Sequence, residues 1–123
     1  CKDRKHSRMT EIQEKIKYED FAKLDIRIGT IESVEAVKNS NKLLKLVVNF
    51  GAEKRQIIAG IAEFYKPEEL VGKQCPFLIN LEPKKLKGED SHGMMLAVDT
   101  TGHKGDCFLL HPNKKVPDGS KIV

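Results

Sequence analysis

Between residues 25 and 61 the chain alternates apolar and polar positions with a period of two, the rhythm of strands that bury one face. Ile26, Ile28, Ile31 and Val34 carry β-branched apolar side chains among polar neighbours, and Gly29 interrupts them where a strand bends or bulges. This predicts a long, coiled first strand. Residues 38–42 (Lys-Asn-Ser-Asn-Lys) have turn composition, and residues 44–50 return to strand patterning before Gly51, which completes a hairpin. A third strand is expected over 55–61, mostly apolar with Gly60 near its end.

Helical signals are short. Thr10 with Gln13 three positions on, and Ile12 one turn before Ile16, predict a helix over 10–17. Residues 1–9 are polar, basic and aperiodic, so residues 1–17 read as a tail or linker with a short helix, and 18–123 as the folded domain. Phe21 and Leu24 are spaced for one apolar face of a helical turn entering the first strand. Phe64, Tyr65 and the Pro67-Glu68-Glu69-Leu70 run read as a helical connection closed by Gly72. A fourth strand is expected over 74–81, with Pro76 forcing an edge position or a bulge, then a polar loop over 82–91 and a fifth strand over 94–98.

Three strands, a helix and two strands is the order of a five-stranded Greek-key barrel of the OB type. The expectation is therefore an all-β domain: an OB-fold barrel with a short helix between strands 3 and 4, a short N-terminal helix and extra C-terminal strands over 107–110 and 119–123, with turns at 101–106 and 112–117. Those extra strands would cover a sheet edge or pair with a second subunit.

A length of 123 residues suits one domain, and no stretch reaches the roughly 18 apolar residues of a membrane span. Cys1, Cys75 and Cys107 lie far apart with no C-x-x-C pair, which suggests neither a disulfide framework nor a zinc site and suits a reducing cytoplasm. The net charge of +4 is modest, but lysines gather in two loop-like places, at Lys38 and Lys42 and at Lys84, Lys85 and Lys87. Solvated loops are the competing reading of either cluster taken alone.

The segments 25–29 (Asp-Ile-Arg-Ile-Gly), 55–61 (Arg-Gln-Ile-Ile-Ala-Gly-Ile) and 80–96 carry a closer likeness. Residues 80–94 follow an N-L-x-P-x-K-[IL]-[RKM]-G-x-x-S-x-G-M signature at every fixed place. Over about residues 18 to 123 the chain resembles the tRNA-binding domain family, found at the C-terminus of methionyl-tRNA synthetases, in phenylalanyl-tRNA synthetase β subunits, in an endothelial monocyte-activating polypeptide, in free-standing tRNA-binding proteins and in a bacterial secretion chaperone. The resemblance implies an OB barrel that recognises the outer corner of tRNA by shape, without cofactor, metal or catalytic residues, as a cytoplasmic module that is often a homodimer through its C-terminal strands. It would raise the tRNA affinity of an aminoacyl-tRNA synthetase, methionyl in type, or act free-standing.

Carried over by position, the RNA-facing residues are Lys42, Arg55, Asn80, Lys85, Lys87, Ser91 and Met94. Lys42, Arg55, Lys85 and Lys87 offer cations to phosphates, Asn80 and Ser91 offer hydrogen bonds to a base edge or ribose 2′-hydroxyl, and Met94 offers a packing surface to a base. Each has a structural rival: solvated lysine, an Arg55–Glu53 pair, loop-mouth hydrogen bonding for Asn80 and Ser91, and core packing for Met94. One departure stands out. Many members carry His-Pro-x-Ala-Asp before the first-hairpin lysine, whereas this chain has Val37, Lys38, Asn39, Ser40 and Asn41, so that loop exchanges a rigid turn and a stacking ring for charge.

Rival functions fit less well. The four histidines show no H-x-x-x-H spacing, and neither a phosphate-cradling glycine loop nor a nucleophile elbow is present. A single-strand binder would stack bases on aromatic platforms, but aromatics make up 6% of the chain and there is no Trp. The alternative kept open is a protein-interaction or chaperone-like dimeric OB module, which predicts binding insensitive to salt.

Overall fold

The structure, a computed structural model, describes residues 12–100 and 107–123. Its elements are α1 (Tyr18–Ala22), β1 (Ile26–Ala36), β2 (Leu44–Asn49), β3 (Lys54–Ala59), α2 (Pro67–Leu70), β4 (Gln74–Leu78), β5 (Lys84–Leu86), β6 (Glu89–Ser91), β7 (Met94–Met95), β8 (Ala97–Asp99) and β9 (Cys107–Leu109). The main sheet is antiparallel, in the order β3-β2-β1-β4-β7. It curls until β3 meets the chain after β6: the Ile58 N–H donates to the Ser91 hydroxyl at 3.0 Å, and the His92 N–H to the Gln56 carbonyl at 2.9 Å. The expected five-stranded barrel is thus nearly closed.

β1 is the long strand the alternation predicted. Ile26 to Thr30 pair with β4 and Thr30 to Ala36 with β2, and the register slips between Ile31 and Ser33. The irregularity therefore falls just after Gly29. Gly29 answers a different need, because a Cβ there would sit 2.5 Å from Val48 Cγ1 and 2.7 Å from Phe50 Cε1. Strand and ring pack face to face only without a side chain. Phe50 in turn meets Phe77 edge-on, with ring centroids 5.5 Å apart. Around this pair lie Ile31, Leu46, Val48, Ile57, Ile61 and Leu70, all fully buried. Leu70 plugs the barrel from α2, a burial worth about 2 kcal/mol.

Pro76 pairs with β1 on one side only, because β7 meets β4 at Phe77 and Leu78 alone, so the proline stands at a local edge of the sheet as the sequence predicted. Its register partner Ile28 turns both backbone groups away, donating to the Ser120 carbonyl and accepting from the Gly119 N–H. The missing proline N–H therefore faces β7, and β7 ends there: Leu96 donates to the Pro76 carbonyl at 3.0 Å and receives nothing in return. The strand expected over 94–98 is consequently split into β7 and β8, and β8 pairs with β9 instead.

Of the helix expected over 10–17, residues 12–17 carry no regular structure, and Ile12 and Ile16 are exposed; Thr10 lies outside the described residues. A helix that short needs a packing surface, and these side chains have none. The short N-terminal helix is α1. The expected turn at 101–106 also lies outside the described residues. The strand expected over 119–123 does not form: Lys121 makes only an isolated bridge to Arg27, although residues 119–122 hydrogen-bond along the first half of β1 and cover its free edge. Cys107 is disulfide-bonded, which the cysteine spacing had not suggested, and Cys75 is a buried free thiol.

Candidate nucleic-acid interface

The polar stretch 82–91 is a β-hairpin rather than a loop. Lys84 faces Ser91, Lys85 faces Asp90 and Leu86 faces Glu89, leaving Lys87 and Gly88 as a two-residue turn. Both turn residues take positive φ, 50° and 84°, as the right-handed twist of a tight hairpin demands. The tip thus carries a lysine in a conformation glycine usually adopts.

The hairpin is clamped to the barrel. The Gln56 side-chain amide donates to the Asp90 carbonyl at 2.8 Å, and the Lys45 ammonium lies 3.6 Å from Glu89. Ser91, at 5% exposure, accepts from the Ile58 N–H and donates to the Gly93 carbonyl at 3.0 Å. At the mouth, Asn80 accepts from the Asp25 N–H at 2.9 Å and donates to the Lys23 carbonyl at 2.7 Å, tying the end of β4 to the start of β1. Arg55 donates to the Ile79 and His92 carbonyls at 2.6 and 3.1 Å and forms a forked pair with Glu53. Three of the seven candidate residues therefore have their polar groups committed to the fold.

The remaining four stand at the surface. Lys42 and Lys87 are exposed, and Met94 is 43% exposed at the start of β7. Lys85 pairs with Asp90 at 2.9 Å, and its ammonium, by hydrogen bond and charge, holds the Asp90 carboxyl below the ordinary carboxylate range. Among the described residues no carboxylate pairs with Lys38, Lys42, Lys84 or Lys87. In the β1–β2 loop, the Ser40 hydroxyl accepts from the N–H groups of both Lys42 and Leu43 at 3.1 Å, and the Lys42 carbonyl accepts from Ala62. A serine side chain thus holds this loop in its turn.

Beside the hairpin lies an open depression of about 490 Å3, walled by Leu81, Pro83 and His92 over Arg55 and Gln56. Its walls were not singled out from the sequence, since Leu81, Pro83 and His92 come together only once the hairpin folds onto β3. Among the described residues, no group of three or more His, Cys, Asp or Glu is arranged to hold a metal, and no helix is long and apolar enough to cross a membrane.

A barrel with basic loops at the β1–β2 and β5–β6 positions has the geometry with which OB folds contact nucleic acid. A family model described as "Putative tRNA binding domain" matches residues 26–121. The chain belongs to this family. Its tRNA-binding domain is 52% identical over 107 residues to a methionine–tRNA ligase of Methanothrix thermoacetophila and 54% identical over 108 to that of Methanosarcina mazei. In both cases 87% of the chain is covered but only 15% of the ligase, so the chain spans a small part of these relatives. Among solved structures, the domain superposes on a MetRS-related protein from Pyrococcus horikoshii with a TM-score of 0.84 at 37% identity, covering 90% of this chain and 100% of the other. The chaperone CsaA of Bacillus anthracis follows with a TM-score of 0.79 at 34% identity, covering 89% and 100%.

Proposed function

We propose that this domain is a non-catalytic module that holds folded tRNA by shape and charge, in the cytoplasm, as part of or beside a methionyl-tRNA synthetase. The observation that carries the reading is the set of lysines without an ion pair among the described residues, Lys42, Lys84 and Lys87, presented by one loop and one hairpin that the barrel holds in place. Lysines without carboxylate partners keep their full charge for phosphates. Lys85 joins them by leaving Asp90, and Met94 packs against an exposed base. Arg55, Asn80 and Ser91 act one step back, holding the hairpin and the barrel mouth at their angle. Contacts remote from the chemistry raise a synthetase's hold on tRNA through effective concentration.

The test is a titration of the chain with folded tRNA, unstructured RNA of equal length and duplex DNA, at two salt concentrations. Preference for folded tRNA, weakened by salt, is expected. Lys84→Ala with Lys87→Ala should lower affinity and flatten the salt slope by about 1 per lysine. Binding insensitive to salt would turn the reading to a protein-interaction module. We infer in addition that the chain is a homodimer, because the β8–β9 hairpin and the residue after it leave Val98, Phe108 and Leu110 between 41% and 49% exposed. Sedimentation as a monomer at micromolar concentration would defeat this.

A further inference from the structure

The end of β4 away from the hairpin holds a second basic surface. Thr30, Gln74 and residues 111–115 border an open cradle of about 380 Å3, rimmed by Lys73, Lys114 and Lys115. All three lysines are exposed, and among the described residues none forms an ion pair. Asp118 is turned inward, accepting from Thr30 and Gln74, and Glu68 and Glu69 line the neighbouring groove with Lys73 and His111. They offset part of the charge of Lys73, so the positive charge of the cradle comes chiefly from Lys114 and Lys115.

The loop carrying these two lysines is anchored at several points. The Gln74 side-chain amide pairs with Val116 in both directions, donating to its carbonyl at 2.7 Å and accepting from its N–H at 3.1 Å. The Thr30 hydroxyl donates to the Asp118 carboxylate, and Gly119 packs so tightly that a Cβ would lie 2.4 Å from the Phe50 carbonyl oxygen. His111 is fixed too, with Nδ1 2.8 Å from the Gln74 carbonyl. A carbonyl only accepts, so Nδ1 carries a proton toward Gln74 and the ring is held in one orientation beside the lysines. Exposed ammonium groups that form no ion pair among the described residues, beside a fixed ring nitrogen, match backbone phosphates and ribose 2′-hydroxyls.

We propose that this cradle, formed by Lys114, Lys115 and His111, is a second RNA-backbone contact, at the end of β4 opposite to the one that leads into the hairpin. It rests on the reading of the domain as a tRNA binder and extends the footprint to a second part of the same molecule. A rigid folded RNA can touch both ends of the barrel at once, whereas a short flexible strand loses entropy to do so.

The experiment measures the affinity of folded tRNA for wild type, for Lys114→Ala with Lys115→Ala, and for Lys84→Ala with Lys87→Ala, each across a salt series. If both loop lysines contact phosphates, wild type loses about tenfold more affinity than the loop variant between about 50 and 200 mM salt. Far-ultraviolet circular dichroism confirms that the variant folds, and Lys114→Glu with Lys115→Glu should weaken binding further. A loop variant indistinguishable from wild type, while the hairpin variant is weakened, would overturn this inference alone. Wild type failing to bind tRNA would overturn the tRNA-binding reading and this inference with it.

Discussion

Replacing Ser91 with alanine separates two roles that the signature motif leaves joined. The hydroxyl is 5% exposed and satisfies the Ile58 N–H, a backbone donor at the point where β3 meets the hairpin. Its removal strands that donor in a buried site, which costs about 1–3 kcal/mol. A domain of this size loses about 3–6 °C of Tm per kcal/mol, so a loss near 2 kcal/mol lowers Tm by about 6–12 °C. Thermal unfolding followed by circular dichroism reads the shift, and tRNA affinity is then measured well below the onset of unfolding. Affinity should stay within about twofold of wild type, because the hydroxyl faces Ile58 and Gly93 and not the solvent. An unchanged Tm together with a loss of affinity would refute this reasoning and return the hydroxyl to the RNA surface.

Three further outcomes follow from the geometry. Gly29→Ala forces a methyl to within 2.5 Å of Val48 and 2.7 Å of Phe50 and should destabilise the fold by about 1–3 kcal/mol in urea unfolding; an unaffected midpoint would mean the ring moves aside freely. Asp25, Glu32 and Asp90 are held below the ordinary carboxylate range by hydrogen bonds from Arg27, from Lys54 and Asn49, and from Lys85. Their folded values lie below the unfolded ones, so the stability they lend is present above about pH 4 and disappears as pH falls through the folded values. Burial pushes the Cys75 thiol up to about 12, so its contribution runs the other way, complete below the unfolded thiol value and lost as pH rises toward 12. The urea midpoint followed against pH should therefore fall on both flanks, and a flat alkaline flank would show Cys75 to be accessible. Asp90→Asn frees Lys85 and removes a negative charge beside the phosphate surface, so tRNA affinity should rise a few-fold with a steeper salt slope; a weaker complex would show that Asp90 orders the hairpin instead.

The barrel was legible in the sequence because its strands obey the period-two rule: in β2, Leu44, Leu46 and Val48 are buried while Lys45, Val47 and Asn49 reach outward. The hairpin over 84–91 was not, since it has almost no apolar residues to alternate and turns on Lys-Gly rather than Asn-Gly. It is a strand pair because β3 supplies Gln56 and Ile58 to hold it, and no local pattern carries that information. The position of Pro76 was ambiguous for the same reason. Whether a missing N–H is harmless depends on which neighbour would have accepted it, here the end of β7. The basic surface was legible as lysine clusters and as a motif, but the motif does not say which polar side chains face inward. Asn80 and Ser91 find partners 55 and 33 residues away.

That division between holding and touching bears on how charge in such a surface should be counted. Lys85 and Arg55 are both paired with an acid two or more residues distant, yet the pairs are not equivalent. The Lys85–Asp90 pair has side chains 65% and 56% exposed, and an exposed pair contributes little, so an arriving phosphate can take Asp90's place. Arg55 is 25% exposed and donates to two backbone carbonyls as well as to Glu53, so turning it toward RNA would leave the Ile79 and His92 carbonyls without its donors. Among the described residues, Lys84 and Lys87 have no ion pair to give up. On the proposed reading, the order in which these groups would meet phosphate is Lys84 and Lys87 first, Lys85 next and Arg55 last, and it follows from each group's present partners, not from its place in the motif.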